Sequence, residues 1–323
     1  MTLSMTMLVS MELDYTLRVV AGGAALVGAT CGGLGAFAVL RGQSLVGDAV
    51  AHAALPGVAL AFLLTGSRDP LALALGAAVT GGLAVRFATR VSESGVVRRD
   101  SALAISLAAF FGLGLALLTY VQRLPDAPQA GLDRYLFGQA ATLVAADLVR
   151  IGAVALAALA VVVVAWRPLS VLAFDRSFGE AVGLPMRAAE ALLTALLVGA
   201  IVVGLDAVGV VLVSALVVAP GVAARQWTNR LAPLIALAAA FGAVSGAVGA
   251  AIRATSGKLP TGPVIVLVAC TLAGLSLLAG RLREQRASRV RRVAIEAEAP
   301  GGPFAAGVSL PVPVPSAPAE GAP

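Results

Sequence analysis

Nine stretches of mostly apolar residues follow one another along this chain, and most of its charged residues lie between them. They run roughly over residues 17–40, 44–66, 70–90, 101–120, 141–165, 189–205, 207–225, 231–253 and 260–280. About 20 such residues in an α-helix cross the ~30 Å hydrocarbon core of a bilayer. No water is available there for backbone N–H and C=O groups, so a segment of this kind must bond internally as a helix. The expected fold is therefore all-α, a polytopic membrane bundle. The sixth and seventh runs are barely separated, so the count is eight or nine.

Composition supports the same reading. Hydrophobic residues make up 59% of the chain and charged residues only 12%, against about 25% charged in a soluble domain. So little charge cannot coat a water-facing surface, and lipid must cover much of it. The net charge is +6, almost all of the basic residues being Arg. A basic protein raises the question of nucleic acid, but no continuous basic stripe with interleaved aromatics is present, which excludes that class.

Arg placement sets orientation, because cytoplasmic connections are enriched in Lys and Arg. Six Arg fall between Arg281 and Arg292, and four between Arg86 and Asp100. With the connections 167–187 and 225–230, these are expected inside. The connections near 67–69, 125–133, 206 and 253–258 are expected outside. Nine spans alternate consistently with this, placing the N-terminus outside and the C-terminus in the cytoplasm.

The domain reading is an N-terminal segment, 1–16, a transmembrane domain, 17–280, and a tail, 281–323. The tail is basic, then rich in Pro, Ala and Gly, and is expected to be disordered and dispensable beyond Arg292. No cleavable leader is read at the N-terminus, since further spans follow the first apolar run. Cys31 and Cys270 fall inside apolar runs, as buried small residues rather than a disulfide framework. Small-xxx-small spacings at Gly28/Gly32 and Gly242/Gly246 predict close helix crossings.

Ionisable residues inside apolar runs are costly, about 2.5–3.5 kcal/mol each on insertion scales, so each is informative. Asp48 and His52, the only His in the chain, are four residues apart and share a helix face. Carboxylate and imidazole are ordinary ligands of Mn, Fe and Zn. If the span starts near Gly42, His52 lies about 15 Å in, near mid-membrane. The alternative is that the two merely hydrogen-bond each other. Two ligands make a weak site, suited to an ion in transit, and a symmetric dimer would double the set. Pro56 and Pro220 lie within spans, where a missing N–H can kink a helix near a gate. Asp206 either lines an outer vestibule or caps a helix. Glu190 and Asp147, near span ends, are assigned no function.

The stretch Ser44-Leu45-Val46-Gly47-Asp48-Ala49-Val50-Ala51-His52-Ala53-Ala54-Leu55-Pro56-Gly57 resembles the S-L-L-G-D-A-L-S-H-A-x-L-P-G motif of the Zn/Mn/Fe ABC transporter permeases, the ABC-3 family. Ala51 departs from the Ser that is common there. Val208 to Leu216, followed by Pro220, is similar to that family's V-G-x-L-L-v-s-A-L-L-x-x-P stretch. Pro260-Thr261-Gly262-Pro263 is similar to its P-T-G-P, which by itself reads as a loop turn. The resemblance spans about residues 18 to 280.

It implies a permease subunit of an ATP-driven importer of a divalent transition metal ion, with Asp48 and His52 as metal ligands. It also implies that Asp175 to Pro185 is a short coupling helix on an ATPase, with Asp175, Glu180 and Gly183 at the contact. No Walker A pattern occurs in the chain, so ATP would bind another subunit. The implied partners are a cytoplasmic ATP-binding subunit, an extracellular metal-binding lipoprotein or periplasmic binding protein, a second copy of the chain, and the bilayer of a prokaryotic plasma membrane. No permanent cofactor and no catalysis are expected. A metalloprotease would need H-E-x-x-H. An ion-coupled secondary transporter of cations is the alternative, though no convincing internal repeat is seen.

Overall fold

A computed structural model describes the backbone of residues 2–67, 69–123, 144–256 and 261–298. Among the described residues there are eleven helices and no strand: α1 (Thr2–Leu40), α2 (Val46–Thr65), α3 (Pro70–Glu93), α4 (Arg99–Gln122), α5 (Ala145–Val164), α6 (Trp166–Phe174), α7 (Arg176–Ala181), α8 (Met186–Val208), α9 (Val210–Arg225), α10 (Leu231–Ser256) and α11 (Thr261–Glu298). The chain forms two compact units, Met1–Leu277 and Leu278–Pro323, and the packing below is that of the first. The expected disorder of the last part of the tail concerns residues 299–323, outside the described residues, as does the connection near 125–133.

Among the described residues, eight helices are long and apolar enough to cross a membrane. The seventh apolar run is the shorter helix α9, of 16 residues, about 24 Å long at ~1.5 Å per residue. The sixth and seventh runs are divided at Gly209, whose φ of +93° and ψ of 162° fit no helix and suit only Gly. The result is an all-α polytopic membrane bundle. Its outer faces agree: Leu71, Leu75 and Val79 of α3 recur every four residues and are all exposed, an apolar stripe suited to lipid.

Small residues set how the helices meet. A Cβ on Gly28 of α1 would collide with the backbone of Gly242 on α10, and one on Gly242 with that of Gly28. Gly32 and Gly246 extend this crossing against Ala238 and Ala24. In lipid, such close packing replaces the hydrophobic effect as the force between helices. Polar side chains within spans bond to backbone carbonyls. The Ser106 hydroxyl donates to the Ala84 carbonyl at 2.8 Å, joining α4 to α3, and Ser245 donates to Phe241 within its own helix.

These contacts define the two ends of the first unit. Gly221 of α9 packs on Ala36 in the penultimate turn of α1, and Arg41 pairs with Glu190 near the start of α8. The α1–α2 turn, the start of α8 and the α9–α10 turn thus share one end. At the other, Gly249 of α10 packs on Ile265 of α11, and Gly262 on Leu212 and the Val208 carbonyl. Helix α9 therefore returns toward the end at which α8 begins. Thr261, Gly262 and Pro263 open α11, so the turn expected at Pro260–Pro263 is, in its described part, the first turn of a helix.

Candidate metal site

Helix α2 begins at Val46 rather than near Gly42. Gly42 instead has φ +65° in the preceding turn, and Gln43 donates its N–H to the Ala38 carbonyl. Asp48 thus stands in the first turn of α2 and His52 in the second. The start of α2 is recessed: Gly47 and Gly35 both pack on Val217 of α9. A five-residue connection reverses the chain, so His52 lies at the depth of about residue 30 of α1. That is near the middle of the Leu17–Leu40 span.

His52 Nε2 lies 3.3 Å from Asp48 Oδ1. The Ser214 side chain of α9 lies beside the same carboxylate. The His52 ring meets Phe111 of α4 edge-on, with centroids 4.7 Å apart and planes at 73°, while its Nδ1 is buried without a hydrogen-bond partner among the described residues. In the ion-free pair the neutral ring carries its proton on Nε2, directed at Asp48, and an ion bound at Nε2 would shift that proton to Nδ1. Three helices thus fix the pair: α2 carries it, α4 holds the imidazole and α9 the carboxylate.

Around it the helix is sealed, with Ala49, Val50, Ala51, Ala53 and Ala54 fully buried. Asp48 is the exception, its side chain 38% exposed, against 19% for His52. A carboxylate open at the surface of a bundle, inside a span, must face water or another polar surface rather than lipid. The donor spacing suits a transition metal. With metal–ligand bonds of about 2.1 Å, two atoms 3.3 Å apart subtend about 104° at the ion, close to tetrahedral. Among the described residues no group of three or more His, Cys, Asp or Glu could hold a metal.

The prolines mark the same region. Both α2 and α9 are helical through them. Pro56 has no N–H to offer the His52 carbonyl, four residues earlier, and packs on Gly114 of α4; Pro220 faces Gly32 of α1. Asp206 falls in the last turn of α8, but its side chain lies outside the described ones. Asp147 accepts from the Val144 N–H at 3.1 Å and pairs with Arg150, closing the start of α5.

The segment 175–185 forms the short helix that the sequence suggests. The Asp175 carboxylate accepts from the Phe178 N–H at 3.0 Å and caps α7. Gly183, at φ +82°, ends it, and the Leu184 N–H donates to the Gly179 carbonyl at 2.9 Å. Glu180 is exposed and pairs with Arg176 at 3.0 Å, a bond that holds the Arg176 guanidinium above its ordinary pKa. Phe174, Phe178 and Val182, four residues apart, are all exposed. Gly179, next to Phe178, is buried against Met186.

One residue that the sequence reading set aside is central to this end. Glu190 of α8 receives Arg41 at 2.6 Å, Arg176 at 2.7 Å and also Arg99. Its one signal in the sequence is a carboxylate inside the sixth apolar run. Ser214 and Phe111 were missed as well. Ser214 belongs to the quoted 208–216 stretch, whereas nothing sets Phe111 apart from other apolar residues.

Comparison with known proteins agrees with this architecture. The zinc transport system membrane protein TroC of Treponema pallidum (strain Nichols) is 45% identical over 270 residues, 84% of this chain and 91% of that protein. The manganese transport system membrane protein MntC of Bacillus subtilis (strain 168) is 40% identical over 269 residues, covering 83% of this chain and 62% of that protein. The solved structure of PsaBC from Streptococcus pneumoniae in complex with Fab superposes with a TM-score of 0.71 at 31% identity, over 81% of this chain and 90% of that one. The pattern of the ABC 3 transport family matches residues 12–280, and the chain belongs to that family.

Proposed function

We propose that this membrane permease carries a divalent transition metal ion, zinc or manganese, through a path lined by Asp48 and His52. The observation that carries the reading is the donor pair itself: a carboxylate and an imidazole 3.3 Å apart near mid-span, the carboxylate open at the bundle surface. The names of the relatives, one a zinc and one a manganese transport protein, support that choice of cargo. A second copy facing the first would close the open side of Asp48 and supply a second pair, giving four ligands about a two-fold axis. An ion-coupled secondary carrier is not favoured by membership of an ABC family.

Helix α7 is the surface for a cytoplasmic ATP-binding subunit. It is short, it exposes Phe178 and Val182, and it lies at the end where Arg41, Arg99 and Arg176 gather. By the bias of Arg toward cytoplasmic connections, that end is inside. The C-terminus then lies inside as well, in the plasma membrane of a prokaryote. The permease itself makes and breaks no bond, holds no permanent cofactor, and receives the ion from an external binding protein. Expression in strains lacking a single metal importer, with cellular metal content measured, tests the reading. Restored growth with zinc or manganese accumulation supports it, and a normally inserted chain that accumulates neither overturns it.

A further inference from the structure

The Glu190 cluster joins four separate pieces of the first unit. Arg41 ends α1, Arg99 opens α4, Arg176 opens α7, and Glu190 lies one turn into α8. Three cations meet one carboxylate whose side chain is only 14% exposed, and Arg41 is more buried still, at 8%. Guanidiniums packed this closely repel one another, so the shared carboxylate holds the group together. Arg99 also reaches the turn before α2: with its amide oxygen toward Arg99, Gln43 accepts from that guanidinium at 2.9 Å. Gln43 is buried and precedes Asp48 by five residues.

The cluster therefore has one member, Arg176, on the exposed short helix and two, Arg41 and Gln43, in the turn that leads to the metal pair. Arg176 is shared between Glu180 at 3.0 Å on its own helix and Glu190 at 2.7 Å in the bundle. Among the described residues no other ion pair ties α7 to the rest of the unit. A displacement of α7 that withdraws Arg176 leaves Glu190 to Arg41 and Arg99 alone. Those two would then redistribute around it, carrying the Arg41–Gln43 turn with them.

We propose that Glu190 is a positioning residue that couples movement of the docking helix to the geometry of Asp48 and His52. The proposal rests on the metal-permease reading above. One carboxylate holds donors from three separate segments at once, Arg41 and Arg99 on Oε1 and Arg176 on Oε2, so a shift of one segment is felt by the other two.

The test uses the full complex, permease with its ATP-binding subunit, in proteoliposomes, and reads zinc or manganese uptake per ATP hydrolysed. Glu190→Gln and Arg176→Gln should each lower that ratio at least about fivefold, within the usual range of coupling free energies, while metal binding in detergent stays within about twofold. Arg176→Lys, which keeps the charge, should recover part of the ratio. Arg150→Gln, in the unrelated pair at the start of α5, should leave it unchanged. Should Glu190→Gln fail to fold, Arg176→Gln and Arg176→Lys decide, since Arg176 lies on the exposed helix. An unchanged ratio in Arg176→Gln, or equal losses of uptake and hydrolysis in it, overturns the proposal. A wild-type complex that moves neither metal would instead overturn the functional reading.

Discussion

His52 Nε2 and Asp48 Oδ1 stand 3.3 Å apart across a single turn of α2, close enough for one ion to bridge them without a change of backbone. The pair is set by its neighbours rather than by α2 alone. Ser214 lies beside the carboxylate, and Phe111 packs edge-on against the imidazole. A site held this way can bind weakly and still be specific in geometry, which suits a cargo that must leave again.

Replacing Phe111 with Ala should loosen the imidazole without touching either ligand atom. An aromatic pair of this kind contributes about 0.5–1.5 kcal/mol beyond its buried area, so metal affinity should weaken by about two- to tenfold. Titration of the purified permease with zinc or manganese measures this, and an unchanged affinity would show that Phe111 does not position His52.

Gly183 ends α7 with φ +82°, a conformation that costs a residue bearing a Cβ about 1–2 kcal/mol. Gly183→Val should disturb the end of the helix where Val182 is exposed. ATP hydrolysis stimulated by the permease should fall several-fold, and metal affinity should stay unchanged. Measuring both on one preparation separates loss of docking from loss of the site.

The crossing of α1 and α10 depends on the absence of side chains at Gly28 and Gly242. Gly242→Val places two methyls where the Gly28 backbone lies. Overpacking costs about 1–3 kcal/mol even where a core can adjust, and here backbone opposes backbone. Thermal unfolding in detergent should shift down by several degrees, whereas Gly274→Ala, where a Cβ meets nothing within 4 Å, should shift it little.

Much of this was legible in the sequence because membrane physics leaves few choices. Runs of about 20 apolar residues had to be helices, and the observed Leu17–Leu40, Pro70–Glu93 and Thr261–Arg283 fall close to the runs read from composition. The Asp48–His52 pair was legible because both ligands lie on one helix, where spacing alone fixes their contact. Partners on other helices were not. Glu190 meets Arg41, 149 residues away, and Arg99, 91 residues away, and no local pattern encodes such a meeting. The start of α2 was placed four residues early because Gly42 to Leu45 holds no charge and no proline to mark a turn, and the break lies in the φ of Gly42, +65°. The division between the sixth and seventh runs was placed at residue 206, three residues before the observed break at Gly209, since one glycine among small residues becomes a breaker only through its φ.

The central claim is that Asp48 and His52 hold the transported ion, and uptake by their near-isosteric variants tests it most directly. Asp48→Asn keeps the size and removes the charge, while His52→Gln keeps a polar group and removes the imidazole. With expression and insertion matched to the unchanged protein, each variant should slow zinc or manganese uptake at least about tenfold, a rise of roughly 1.4 kcal/mol in the transport barrier. Uptake at the unchanged rate in both variants would contradict the account and leave the pair as a hydrogen bond that merely holds the bundle together.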